Sequence, residues 1–238
     1  MKDRTDPSRP DPIAYLTGAL DGTARPPGIS LPGEGGKFAT DGHVQLWSGN
    51  TFVCHVLPDS AAHDAIRALQ EEVKMSRFAR FFTFLPPSSF HMTILGGMSP
   101  GFEPRGPRRD AVSAELLGRV EGVSFPPYRQ ARVADLYCGH SLTMTGTGSD
   151  GDAPFRAERD ALRVATGINP ADYDDHVFHI TLAYLIDWLT RPTAEALTAF
   201  SAELTERYRE ALSDVPLGPV EFCNFETMHH FEPLKVLV

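Results

Sequence analysis

The sequence predicts an α+β fold, with two pseudo-symmetric lobes of mainly antiparallel sheet, helices outside and a central groove between the lobes. Three observations carry that expectation. Strand-like and helix-like segments interleave twice along the 238 residues, two neighbouring strands are joined closely enough to form a hairpin, and an apolar strand phrase containing His-x-Thr occurs once in each half. At 42% hydrophobic residues the chain can bury a substantial core.

The first twelve residues hold three prolines, three aspartates and two arginines and almost nothing apolar, so burial cannot offset the entropy of ordering them. Residues 1–36 are therefore expected to be a mobile or wrapped arm, with a short helix over 13–20 and an irregular Pro/Gly-rich stretch over 25–36. Residues 37–238 are expected to form a single bilobal domain. A β-branched and aromatic run predicts a strand over 51–57, followed by Pro58-Asp59-Ser60, where Asp59 or Ser60 can cap a helix. Ala62, Ile66, Leu69 and Val73 recur at helical spacing through about residue 75. Strands follow over 81–85 and 89–95, the second ended by Gly96-Gly97.

A loop rich in Pro, Gly and Arg covers 98–109 and leads to a helix over 110–119. Strands over 129–137 and 141–147 flank Cys138-Gly139-His140 as the hairpin. A helix over 154–166 has Gly167 in C-cap position. The last third reads as a strand over 177–186, a helix over 192–212 opened by Pro192, and a strand over 220–228.

The repeated phrases are Phe90-His91-Met92-Thr93-Ile94-Leu95 and Phe178-His179-Ile180-Thr181-Leu182-Ala183. Side chains alternate between faces of a strand, so His91 and Thr93 share one face while Phe90, Met92 and Ile94 take the other. His179 and Thr181 repeat the parity against Phe178, Ile180 and Leu182. A solitary strand histidine is usually structural. Two copies in matching phase, 179 − 91 = 88 residues apart, instead point to one shared site with an imidazole and a hydroxyl from each half, the two strands facing each other across the groove.

His91-Met92-Thr93-Ile94 and His179-Ile180-Thr181-Leu182 resemble the paired H-x-T/S-hydrophobic motifs of the two-histidine (2H) phosphoesterase superfamily, which includes RNA 2′,3′-cyclic phosphodiesterases and 2′-5′ RNA ligase-like proteins. Gly36-Lys37-Phe38 and Gly49-Asn50-Thr51 are similar to segments of a bacterial subgroup of unassigned substrate. The resemblance covers roughly residues 50–230. It implies a metal-independent phosphodiesterase, without cofactor, that hydrolyses a cyclic phosphate of a nucleotide, an RNA end or a nucleotide derivative. One imidazole takes a proton from water and the other protonates the departing sugar oxygen, which needs their reactive nitrogens roughly 5–9 Å apart. Thr93 and Thr181 hydroxyls bind the non-bridging oxygens, where charge accumulates. The resemblance implies His179 as base and His91 as acid; the residues themselves leave that assignment open.

A net charge of −9 opposes a long nucleic acid partner, which calls for a basic stripe, but is compatible with a small phosphorylated substrate or a short RNA end. Lys37, Arg80, Arg105 and Tyr173 are candidate substrate contacts, and Trp47, Phe84 and Tyr173 are candidates to stack on a base. For each, a solvated or core role competes. The chain has no run of 18 apolar residues and no apolar leader segment, so the expectation is a cytoplasmic protein with no membrane and no obligate protein partner. Cys54, Cys138 and Cys223 read as buried thiols.

Two other readings compete. The groove can bind a phosphorylated ligand without turning it over. Alternatively His176, His179, Asp172, Asp174 and Asp175 can be taken as a metal-dependent hydrolase site, although an odd separation in a strand would put the two histidines on opposite faces. His43, His55, His63, His140, His229 and His230 receive structural or surface roles.

Overall fold

The computed structural model describes residues 9–20, 22–97, 107–171 and 173–238. The N-terminal segment forms α1 (Pro12–Leu16), capped by Asp11, whose carboxylate accepts from the Ala14 amide at 2.8 Å, and a short parallel pair, β1 (Ile29–Ser30) in the arm and β2 (Phe38–Ala39) just after it. The rest of the chain runs β3 (Gly49–His55), α2 (Ala61–Lys74), β4 (Phe82–Phe84), β5 (His91–Gly96), α3 (Pro107–Arg119), β6 (Arg129–Tyr137), β7 (Ser141–Gly146), α4 (Ala153–Thr166), β8 (His179–Thr181), β9 (Ala183–Leu185), α5 (Arg191–Tyr208), β10 (Val215–Leu217), β11 (Glu221–Thr227) and β12 (His230–Val236). This is the expected α+β fold. Among the described residues no helix is long and apolar enough to cross a membrane.

Eight strands form one antiparallel sheet in the order β10-β6-β7-β8-β5-β3-β11-β12. A line between β8 and β5 divides it into halves of four strands, and these halves are the two lobes. The motif strands therefore do not face each other across a groove. They are hydrogen-bonded neighbours at the centre of the sheet, with Met92 opposite Ile180. Pairing them satisfies backbone groups that two separate lobes would each have left at an edge. Register shifts between Phe52 and Val53, Val133 and Asp135, and Phe222 and Cys223 mark bulges, which bend and twist the flanking strands around the central pair.

The alternation read from the motifs decides which face is packed. Phe90, Met92, Ile94, Phe178, Ile180 and Leu182 are each at most 1% exposed and join Ile66 and Leu69 of α2, Leu162 of α4 and Leu197 and Leu204 of α5 in the main core. Full burial of side chains of this size contributes about 1.5–3 kcal/mol each, so a one-residue slip in either motif strand is strongly opposed. The opposite face carries a smaller apolar cluster, including Ile29, Phe38, Val53, Leu85, Phe225 and Phe231, where the arm folds over the β3–β11–β12 half.

Several elements differ from expectation. The strand predicted over 177–186 is two strands in two sheets, because the amides of Leu182 and Ala183 both donate to the His140 carbonyl, turning the chain out of the main sheet so that β9 pairs with β4. The buried Gln70 side chain stabilises the junction by donating to the carbonyls of Leu85 and Leu182 at 2.8 and 2.9 Å. The strands β10 and β12 are additional to those expected, and each contains a proline. Both lie at edges of the sheet, where a missing amide costs no ladder bond. Helix α5 ends at Tyr208, not 212, and the 81–85 segment begins as a 3₁₀ turn, Ala79–Phe81. Ser60 proves to be the α2 cap, accepting from the His63 amide at 3.1 Å, and Gly167 (φ 73°) ends α4 in the left-handed conformation.

Order begins earlier in the arm than composition suggests. The Pro10 carbonyl accepts from Tyr137 Oη at 3.1 Å, and the Leu16 carbonyl accepts from the Leu189 amide. Residues 1–8 lie outside the described residues.

Candidate active site

The antiparallel pairing of β5 with β8 around Met92 and Ile180 sets His91 opposite Thr181 and Thr93 opposite His179. Directly opposed residues share a face, with Cβ atoms about 4.5–5.5 Å apart, and the diagonal from His91 to His179 spans about 7–8 Å. Both imidazoles and both hydroxyls therefore project from four adjacent positions on the face not packed by helices. They line one cavity of about 190 Å³.

Local backbone geometry orients both rings in the same way. His91 Nδ1 lies 2.7 Å from the Ser89 carbonyl, and His179 Nδ1 lies 2.7 Å from the Val177 carbonyl. A carbonyl can only accept, so each Nδ1 carries the proton of the neutral ring and each Nε2 is the unprotonated nitrogen. In both motifs the accepting carbonyl belongs to the residue two before the histidine. Neither Thr93 nor Thr181 has a side-chain hydrogen bond among the described residues, so both hydroxyls are available to a ligand.

His91 is packed against Phe231, ring centroids 4.1 Å apart, and against His55 at 5.8 Å. Burial pushes its pKa down to about 3; the neighbouring His55, His179 and Lys37 act in the same direction, and the Ser89 carbonyl opposes them. The free site thus holds His91 neutral near pH 7. His55, read from sequence as structural, is placed beside His91 by strand pairing and is held by Glu221, with Nδ1 2.7 Å from Oε2. No motif marks that contact; it arises from β3 and β11, which meet only in the fold.

Lys37 reaches the cavity, with its ammonium 3.4 Å from Tyr184 Oη and 5.1 Å from the centre of that ring. Trp47 also lines it. Arg80 does not: it is exposed and stacked on Phe81, beside Arg77 in a separate depression at the start of α5. The 3₁₀ turn that replaces the first part of the expected strand carries it away from the sheet face. Tyr173 is also elsewhere, held by Asp160 and by the guanidinium groups of Arg159 and Arg163 on α4. Phe84 lies under the Lys74 ammonium and is not part of the cavity wall. Arg105 falls outside the described residues.

Residues that sequence does not mark as substrate contacts complete the wall. Asn50 and Thr51 come from β3, Phe225 from β11 and Phe231 from β12, while Met228 and Tyr184 close the side nearest the arm. Gly97 is part of this arrangement: its α-carbon packs so closely on Asn50 that an added Cβ would collide with the Asn50 side-chain oxygen and carbonyl. His176 precedes β8 and escapes the strand parity, its ring 6.1 Å from that of His179. Among the described residues no three His, Cys, Asp or Glu side chains form a group able to hold a metal ion.

The family model described as 2H-phosphodiest, domain of unknown function (DUF1868), matches residues 37–102, which include the first motif. The crystal structure of ATU0111, a conserved protein of unknown function from Agrobacterium tumefaciens str. C58, superposes with a TM-score of 0.82 at 26% identity, covering 97% of this chain and 100% of that one. No curated protein is significantly similar in sequence. These findings support membership of the 2H phosphoesterase superfamily, with the substrate unassigned, and point to phosphodiester chemistry.

Proposed function

We propose that the protein is a metal-independent phosphodiesterase that opens a cyclic phosphate of a nucleotide, a short RNA end or a nucleotide derivative. The observation that carries this reading is the matched orientation of the two rings. Both place Nδ1–H on a backbone carbonyl and line the same cavity, next to the hydroxyls of Thr93 and Thr181.

Hydrolysis forms a bond from water oxygen to phosphorus and breaks the bond from phosphorus to a sugar oxygen on the opposite side. One Nε2 accepts the water proton and the other donates to the departing oxygen. Thr93 and Thr181 donate to the non-bridging oxygens. The family resemblance assigns His179 as base and His91 as acid. His91 starts without its second proton, so in that assignment the entering phosphate raises its pKa and loads it, as an adjacent anion does for any imidazole. Trp47 and Phe225 give the cavity flat apolar surface suited to a base or ribose face.

The test is a panel of nucleoside 2′,3′-cyclic phosphates, ADP-ribose 1″,2″-cyclic phosphate and 2′-5′-linked oligonucleotides, assayed after exhaustive chelation with the wild type, His91→Ala and His179→Ala. Turnover of at least one substrate, lost in both variants, is the expected result. No turnover on any of them, or near-native rates in either variant, refutes the reading.

A further inference from the structure

Arg9 lies outside the residues matched by the family model and was not marked by any sequence pattern, yet it sits on the active face of the sheet. Its Nη2 donates to Ser141 Oγ at 3.0 Å, and its guanidinium carbon lies 4.8 Å from the centre of the Tyr137 ring. Ser141 is the register partner of Thr181, and Thr143 is the register partner of His179. Partners across an antiparallel ladder share a face and stand about 4.5–5.5 Å apart at Cβ. The guanidinium is therefore bonded to the residue that stands beside Thr181, just outside the wall of the cavity that His91, Thr93, His179 and Thr181 line.

Two features mark this cation as awaiting a partner. Its Nε is buried with no hydrogen-bond acceptor, and Ser141 is its only hydrogen bond among the described residues. Its leading counter-charge is the exposed Asp135, which makes no ion-pair contact with it. A half-buried guanidinium is costly without an anion in contact, and an arriving phosphate removes that cost. Beside it, Thr143 Oγ1 is also buried and unpartnered, and the Ser141 hydroxyl proton remains free to donate, since its oxygen only accepts from Arg9.

We infer that Arg9 is a substrate-binding residue, its guanidinium fixed by Ser141 so that it takes the negative charge of a phosphate group held at the Thr181 hydroxyl. The inference rests on the phosphodiesterase reading for the identity of that phosphate. The N-terminal segment then supplies two cations, Lys37 over Tyr184 and Arg9 over Tyr137. An acidic protein thereby concentrates positive charge where a small phosphorylated ligand enters.

The experiment is a titration with inorganic phosphate, followed by calorimetry, for the wild type, Arg9→Gln, Arg9→Lys and Arg80→Gln, with a thermal melt of each. Arg9→Gln removes the charge and keeps a polar, hydrogen-bonding side chain. The expected result is a loss of phosphate affinity of about tenfold or more in Arg9→Gln, partial recovery in Arg9→Lys and no change in Arg80→Gln. Wild-type affinity in Arg9→Gln, an equal loss in Arg80→Gln, or no phosphate binding by the wild type each overturns the inference. A protein that turns over no cyclic phosphate but shows the Arg9 effect refutes only the functional reading; one that turns them over with Arg9→Gln unaffected in phosphate binding refutes only this inference.

Discussion

His91 stands across the β5–β8 ladder from Thr181, and the same register sets Thr93 across from His179. Each imidazole is therefore adjacent to the other motif's hydroxyl, and the four groups make a small antiparallel square whose two ends are equivalent. Deleting any corner changes the chemistry without touching the packed face, because Met92 and Ile180 are buried on the other side of the same strands. His91→Ala and His179→Ala are expected to lower turnover by about 10²–10⁴-fold. Thr93→Val and Thr181→Val, which keep the shape and remove the donor, are expected to cost about 10–10³-fold in kcat. All four variants should melt within a few degrees of the wild type. A Thr→Val variant with unchanged kcat on a substrate that His91→Ala abolishes would remove the threonines from the mechanism.

A second expectation concerns the charge state of His91. Burial holds its free-state pKa down to about 3, so the empty site carries a neutral ring at neutral pH. A bound phosphate raises that pKa, which means that binding takes up a proton at every pH between about 3 and the new, higher value. Within that window the affinity for inorganic phosphate falls as pH rises, approaching tenfold per unit, and above the new pKa it levels off for this group. Ring ¹³C and ¹⁵N shifts of His91 followed against pH, with and without phosphate, measure both values. Identical titration in the two states is the outcome that contradicts the loading of His91 by its ligand.

The centre of the site was legible in sequence because it rests on local rules. Parity along β5 and β8 fixed which residues share a face, and Gly167, Pro192 and the Ser60 cap obeyed helix-end chemistry that acts over a few residues. What escaped was set by pairings between distant strands. The relative placement of the motif strands, neighbours instead of opposing walls, depends on a ladder that no short segment encodes. His55 reaches His91 only through the β3–β5 register, and Arg80 misses the cavity because it sits in the 3₁₀ turn Ala79–Phe81 between α2 and β4, off the main sheet. β10 and β12 each carry a proline, and an edge position cannot be told from a strand break without knowing the sheet order.

Acid should loosen the fold through histidines that the chemistry does not use. His140 is 8% exposed, enclosed by the rings of Tyr15, Phe82 and Tyr137, and neither ring nitrogen has a hydrogen-bond partner among the described residues. Burial pushes its pKa down to about 3, and that of His176 likewise. The unfolded chain binds protons at these positions below about pH 6.5 while the native state does not, so the native state is fully favoured above about 6.5 and loses stability as pH falls towards 3. The slope is at most about 1.4 kcal/mol per pH unit for each histidine. His140→Phe suits the aromatic enclosure and removes one of these groups. Urea midpoints measured near pH 7 and pH 5 should show a smaller drop for the variant than for the wild type; an equal drop would mean that His140 does not contribute.

Gln70 ties the core to the site. Its amide nitrogen is the donor to both Leu85 and Leu182 carbonyls at the point where the chain leaves the main sheet, one residue beyond Thr181. Gln70→Leu leaves two buried carbonyls one donor short and is expected to cost about 2 kcal/mol or more. Gln70→Glu also removes the donor and adds a buried carboxylate facing carbonyl oxygens, so it should be the more destabilising of the two at neutral pH. Denaturant unfolding ranks them, and a reversed order would show that the junction is not held by this amide.

The two glycines that close the first motif strand make a sharper contrast, because sequence treats them alike and structure does not. An added Cβ on Gly96 meets nothing within 4 Å, whereas one on Gly97 collides with the side-chain oxygen and backbone carbonyl of Asn50 and lies 2.8 Å from its carbonyl carbon. Backbone atoms in a central strand cannot yield as a flexible side chain can. Gly96→Ala should therefore fold and turn over substrate close to wild type. Gly97→Ala must push β3 away from the end of β5 or displace Asn50 from the cavity, at a cost of about 1–3 kcal/mol in stability. Since Asn50 lines the cavity, the loss should also appear as a raised KM on whatever cyclic phosphate the wild type accepts. Equal melting points and equal KM for the two alanine variants would mean that the close approach of Gly97 to Asn50 has no part in shaping the site.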